Sequence, residues 1–251
     1  MPNFSQLICE FFNQYNNGNA NANENDWLKY CFNEKSLQHE LGQYLRNQLG
    51  DDYIVQYERN VDYFAAISDN NYVTNESPKK EMDIVILKNS DFDLSNIVND
   101  IQNRKLYKPV CTIELKYPRQ YKEGFGTNSS SIHKEEELVV SPNVLKNYLT
   151  DISFGEFLKD TFDCESYSIF VTDHKSYYPS GVRRNTCKNS ALYDLFTKGN
   201  MTFDANYAKS NQLPDFYKLN GSYTFKWTMF LQYADEMNNS LQLYYMINKA
   251  Q

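Results

Sequence analysis

The chain is short of the residues that build most metal and cofactor sites. Its 251 residues include three histidines and five cysteines, and the cysteines (Cys9, Cys31, Cys111, Cys164, Cys187) are scattered singly. No CxxC pair or Cys/His spacing suggests zinc, and an odd, dispersed set of thiols is expected to stay reduced in a cytoplasm. P-loop, GxSxG, HExxH and dinucleotide-fingerprint motifs are missing as well. Basic residues are in deficit: 25 Lys and Arg against 32 Asp and Glu give a net charge of −7. That argues against a protein that coats nucleic acid through bulk positive charge, although local basic patches stay open. No apolar run is long enough to span a bilayer, and no basic segment followed by an apolar one opens the chain. The expectation is a cytoplasmic protein with no membrane partner.

What is present is material for a core. Hydrophobic residues make up 41% and aromatics 16%, with 21 tyrosines, enough for one large domain over 1–251. The most informative stretch is a pair of short strands, residues 82–87 (MDIVIL) and 109–117 (PVCTIELKY). Alternate strand residues share a face. On the second strand Cys111, Ile113, Leu115 and Tyr117 form an apolar face, while Thr112, Glu114 and Lys116 form the other. Asp83 stands at the entrance of the first strand, just ahead of four aliphatic residues. Charges at the margin of so apolar a run need a reason. The plain alternative is an exposed Glu114–Lys116 pair on an edge strand.

An acid opening one strand, then Glu-x-Lys on the next, resembles the PD-(D/E)XK nuclease superfamily. The matching residues are Asp83 and Glu114-Leu115-Lys116, with Met82 where the motif's name has proline. The resemblance implies an α/β, restriction-endonuclease-like core: a central mixed sheet flanked by helices in the order α-β-β-β-α-β. It also implies Mg²⁺ or Mn²⁺ held by Asp83, Glu114 and the Leu115 carbonyl, because hard cations take oxygen ligands. Lys116 would orient water and offset developing charge. Members often carry a glutamate on the helix before the first strand, and Glu40 matches by position, with a solvated helix-edge residue as the alternative. Some members share a helix with an Asp, an aromatic-Leu-Lys-Asp run and a strand ending in Thr and Asp; Asp151, residues 157–160 and Thr172-Asp173 are similar. The implied activity is phosphodiester hydrolysis, of DNA by analogy, in restriction or defence. A non-catalytic binding or assembly subunit on the same fold, and an accidental match, are the alternatives.

Around this centre the chain divides into a helical extension (1–35), a core (36–173) and an aromatic-rich C-terminal extension (174–251). Phe4, Leu7, Ile8, Phe11, Phe12 and Tyr15 recur at helical spacing, a stripe expected to dock on the body. Asp26 opens a second short helix after a Gly/Asn connector. Ser36 is placed to cap a helix running to Leu49, before Gly50. Strands follow from Tyr53 and, beyond a helix opened by Ser141-Pro142, at 167–172. Asp93 caps an insertion helix between the two central strands. Residues 63–73 read as an extended segment or hairpin, and 118–138 as a substrate flap or a disordered insertion. Segments 223–233 and 241–247 are expected to close the sheet. Arg119, Lys122, Arg183 and Arg184 are the candidate nucleic-acid contacts, the last two beside Tyr177 and Tyr178; structural aromatics with solvated charges would look the same. Cleavage of both strands of a duplex often uses a two-fold pair, which makes a homodimer the expected assembly.

Overall fold

A computed structural model describes residues 1–16, 27, 29–61, 81–91, 108–119, 141–180, 190–199, 201–234 and 240–251. The connector after Asn16, the start of the second helix, the 63–73 segment, the insertion helix at Asp93 and nearly all of 118–138 lie outside them, as do Lys122, Arg183 and Arg184.

The chain opens with α1 (Phe4–Asn13), whose Phe4, Ile8, Phe11 and Phe12 are buried as the stripe required. Phe12 stacks on Tyr245 with ring centroids 4.2 Å apart, so the helix docks on the body. Next comes α2 (Glu34–Leu49). Its cap is Asn33, not Ser36: the Asn33 side chain accepts from the Ser36 N–H while the Ser36 hydroxyl accepts from the Asn33 N–H, each 2.9 Å. This reciprocal box starts the helix three residues earlier than expected and places Glu34 in its first turn. Leu37, Leu41, Leu45 and Leu49 bury one side, whereas Gln48 is exposed.

A six-stranded mixed sheet forms the centre, in the order β1-β2-β3-β4-β8-β7. Its strands are β1 (Tyr53–Asn60), β2 (Glu81–Lys88), β3 (Pro109–Lys116), β4 (Glu165–Thr172), β7 (Thr228–Ala234) and β8 (Ser240–Lys249). β1, β2 and β3 form an antiparallel meander, and β3 runs parallel to β4. The β3–β4 crossover carries α3 (Pro142–Phe162), with Pro142 at its start and Ser141 accepting from the Asn143 N–H, as its sequence required. The sheet therefore lies between α1 and α2 on one face and α3 on the other.

Alternation along β3 decides what each face receives. Cys111, Ile113, Leu115 and Tyr117 join one core with α1, α2 and Trp27. β8 contributes Leu243 and Tyr245 to that core and Met246 to a second core across the sheet. Burial on both faces suits an interior strand, and β8 accordingly pairs with both β4 and β7.

The C-terminal extension closes the sheet through β7 and β8, but Tyr223–Thr224 does not join them. That dipeptide is β6, paired with β5 (Thr202–Phe203) in a separate two-stranded sheet. Phe225 leaves the strand line to pack in the second core, against Phe196 of α4 (Ser190–Thr197) and Phe203. A short α5 (Ala205–Ser210) caps this region. Cys9, Cys31, Cys111 and Cys164 are free thiols. Among the described residues no helix is long and apolar enough to cross a membrane.

Candidate active site

β3 is hydrogen-bonded on both sides, so Glu114 is no edge residue; it is fully buried. β2 and β3 pair with Ile84 opposite Ile113. The ladder ends at that pair, and beyond it the Asp83 carboxylate itself takes the Leu115 N–H, which brings this acid against the strand that carries Glu114. The two strands pair despite the 31 positions between Asp83 and Glu114, with a register shift between Ile86 and Leu87.

Backbone groups hold Asp83 in place. Its Oδ2 accepts the Leu115 N–H at 2.7 Å, and its carbonyl accepts a hydrogen bond from Gln38 of α2. The two contacts tie the acid to β3 and to the helix behind it. Lys116 lies on the Glu114 face, two residues on, with its side chain 17% exposed. Its ammonium donates to the Leu115 carbonyl at 2.7 Å and stands 3.3 Å from Asp151 Oδ2 and 3.5 Å from Glu34 Oε1. Asp151 projects from α3 and is 2% exposed. Glu34 comes from the first turn of α2 on the opposite side of the sheet. Its second oxygen accepts the Tyr117 N–H at 3.2 Å.

Among the described residues, four carboxylates from four elements thus lie around the end of β3 with one ammonium among them. Burial raises the pKa of Glu34 above its ordinary value, and the neighbouring Asp83 and Asp151 add to the rise; Lys116 and the Tyr117 N–H oppose it. Among the described residues no three His, Cys, Asp or Glu side chains are grouped as an ion cage.

The sequence motif brings Asp83, Glu114, Leu115 and Lys116 together. Glu40 is not among the groups that touch Lys116; its electrostatic neighbours are Cys31 and Tyr57. Six residues along a helix turn the side chain by about 240°, so Glu34 and Glu40 face different ways. The signal for Glu34 was Asn33-x-x-Ser36, readable as a capping box. Asp151 could be singled out by resemblance alone, without a role.

Arg119 belongs to the interior. Its guanidinium donates to Asp173 Oδ2 at 2.8 Å, to the Phe32 carbonyl at 3.3 Å and to the Tyr233 hydroxyl at 3.2 Å. It also lies 5.3 Å from the centroid of the Tyr117 ring. Three of its five N–H groups therefore meet partners within the fold, with the side chain 13% exposed. Tyr177 and Tyr178 are likewise buried, the second stacked on Tyr244 at 4.2 Å.

No family model matches the chain, and no curated protein or solved structure matches it.

Proposed function

We propose that the protein is a divalent-metal-dependent nuclease of the PD-(D/E)XK, restriction-endonuclease-like type, acting on DNA. The observation that carries this reading is the Asp83 carboxylate bonded to the backbone of the strand that carries the buried Glu114, with the half-buried Lys116 ammonium two residues on. The connectivity supports it. Among the described residues from α2 to β4 the α-helices and strands run helix, three strands, helix, strand, the order the resemblance implied; the last two strands are parallel. DNA as substrate rests on analogy to the superfamily.

The donor chemistry fits Mg²⁺ or Mn²⁺. Asp83, Glu114 and the Leu115 carbonyl offer hard oxygens, and among the described residues four carboxylates lie around one ammonium. A bound ion would lower the pKa of a water nucleophile and neutralise charge on the phosphate. The chain's own contribution is positioning. The Leu115 N–H fixes one oxygen of Asp83 and so orients the carboxylate. Burial of Glu114 keeps bulk water from screening its charge. Lys116 carries a proton on Nζ and presents positive charge where the transition state accumulates negative charge. Glu34 and Asp151 hold that ammonium from the α2 and α3 sides.

Incubation with duplex DNA, single-stranded DNA and RNA, each with Mg²⁺, Mn²⁺ or EDTA, tests the reading. Metal-dependent cleavage that disappears in Glu114→Gln is the expected result; intact substrates throughout would end the proposal. Mn²⁺ at about 100 times its Kd should also stabilise the wild type by about 2.7 kcal/mol. An equal response in Asp83→Ala would reject the ligand set. One observation favours a non-catalytic binding or assembly subunit: Arg119, a candidate contact for nucleic acid, is used inside the fold. Metal stabilisation with no cleavage of any substrate would favour that second reading.

A further inference from the structure

Lys116 is bonded to a group that the proposed ion also needs. Its ammonium donates to the Leu115 carbonyl at 2.7 Å, and that carbonyl oxygen is the backbone member of the proposed ligand set. A divalent ion takes oxygen ligands at about 2.0–2.6 Å, so an ion and an ammonium on one carbonyl would stand within about 5 Å of each other. Both are cations, in a site where Glu114 is fully buried and Asp151 nearly so. Repulsion at that separation, weakly screened, disfavours sharing.

We infer that Lys116 is an internal counter-ion for this site, displaced from the Leu115 carbonyl when a divalent cation binds, and that Asp151 is the positioning residue that keeps the displaced ammonium nearby. The inference rests on the metal-site reading given above. Asp151 suits the role because it already stands 3.3 Å from the ammonium and comes from α3, an element separate from the strand that moves the lysine. Glu34 lies at 3.5 Å on the other side but is 40% exposed, so solvent weakens its hold relative to that of the buried aspartate. Retention near Asp151 also keeps the positive charge beside the reacting phosphate after the carbonyl has been given up. The lysine then serves in sequence as stand-in cation and as electrostatic catalyst.

Displacement predicts a coupling that simple charge repulsion does not. Mn²⁺ affinity is measured by calorimetry in wild type, Lys116→Met, Asp151→Asn and the double variant, each first checked for folding by circular dichroism. Lys116→Met should bind Mn²⁺ at least tenfold more tightly than wild type. Asp151→Asn should bind at least fivefold more weakly, because the ammonium loses its alternative partner and stays on the carbonyl. In the Lys116→Met background the Asp151→Asn penalty should shrink fivefold or more. An additive cycle would mean that the two residues act only through their charges, and would overturn the inference, as would unchanged affinity in Lys116→Met. Lys116→Gln stands in if the methionine variant fails to fold, with an intermediate gain expected. Lys35→Met removes the same charge from a residue whose amine pairs with Glu58 outside the site, and should change affinity less than twofold. DNA cleavage assays on the same proteins separate the two readings. Cleavage by wild type with no tightening in Lys116→Met ends the displacement and keeps the nuclease. The coupled affinities with no cleavage of any nucleic acid keep the displacement and end the nuclease. Failure of all four proteins to bind Mn²⁺ ends both.

Discussion

Lys116 and Arg119 stand three residues apart at the end of β3, and the two cations are paired in opposite ways. Arg119 has Asp173 at 2.8 Å, and two more of its donors go to a carbonyl and the Tyr233 hydroxyl. Tyr233 itself donates to the same Asp173 oxygen at 3.0 Å, so charge and hydrogen bonds close into one network. Lys116 meets two carboxylates at 3.3 and 3.5 Å, with Asp83 and Glu114 alongside. One close carboxylate anchors the Arg119 network, whereas the Lys116 ammonium is shared between two longer contacts. The same contrast separates two buried acids of α3. Glu156 accepts from the Asn220 and Gly221 N–H groups and from the Tyr223 hydroxyl, whereas Asp151 faces the lysine.

The largest effect should come from breaking the Arg119–Asp173 pair. Asp173→Asn leaves a buried guanidinium uncompensated and should destabilise the fold by about 3–5 kcal/mol, measured by urea denaturation. Replacing both partners together, as Arg119→Met with Asp173→Leu, should recover most of that loss, because an apolar pair needs no compensation. A loss under about 1 kcal/mol in Asp173→Asn would mean that solvent reaches the pair and that the contrast with Lys116 is overdrawn.

Lys116→Ala should act on rate instead. Single-turnover DNA cleavage at saturating Mg²⁺ should slow by a factor on the order of 10², about 2.7 kcal/mol of barrier. The fold should survive, since Leu115 and Tyr117 supply the packing on that strand. Equal rates in wild type and mutant would remove Lys116 from the chemistry.

What the sequence made legible follows from period and spacing. β2 and β3 were readable because an aliphatic run with charges only at its margins has few other homes, and period-two alternation assigned the faces of β3 correctly. The docking of α1 was readable from its stripe. Glu34 was missed because two capping schemes for α2 compete over three residues, and choosing Ser36 excludes it from the helix. The interior partners of Arg119 were not readable because nothing local distinguishes an arginine after a strand from one on a surface. Its partners Phe32, Asp173 and Tyr233 come from three distant parts of the chain. The Glu156 anchor was invisible for the same reason, since it joins residues 64 to 67 positions apart.

That anchor gives a smaller, purely structural prediction. A Cβ on Gly221 would fall 2.7 Å from the Tyr223 hydroxyl oxygen and 2.8 Å from Glu156 Oε1. Gly221→Ala should therefore cost about 1–3 kcal/mol in urea denaturation and leave Mn²⁺ affinity unchanged. A shift in metal affinity would show that the α3 acids are coupled along the helix.

The smallest effect tests the acidic cluster at the site. The Glu34 pKa is raised from its ordinary value of 4.5, chiefly by burial, with Asp83 and Asp151 adding to it. A carboxyl with a raised folded-state pKa favours the protonated form in the fold. Its contribution to stability is fully present below the unfolded value and is lost as pH rises through the folded one. Wild type should therefore lose stability relative to Glu34→Gln as pH climbs from about 4.5 to neutrality. Glu34 is 40% exposed, so solvent screening limits the difference to no more than about 0.5 kcal/mol. Urea denaturation of both proteins between about pH 4 and 7 reads the difference directly, and other carboxylates cancel because both chains carry them. A relative gain by wild type with rising pH would mean that the Lys116 ammonium outweighs burial and the two aspartates. In that case Glu34 and Lys116 form an ordinary stabilising ion pair, like Asp173 and Arg119, and the acidic cluster around the end of β3 is not felt by its own members.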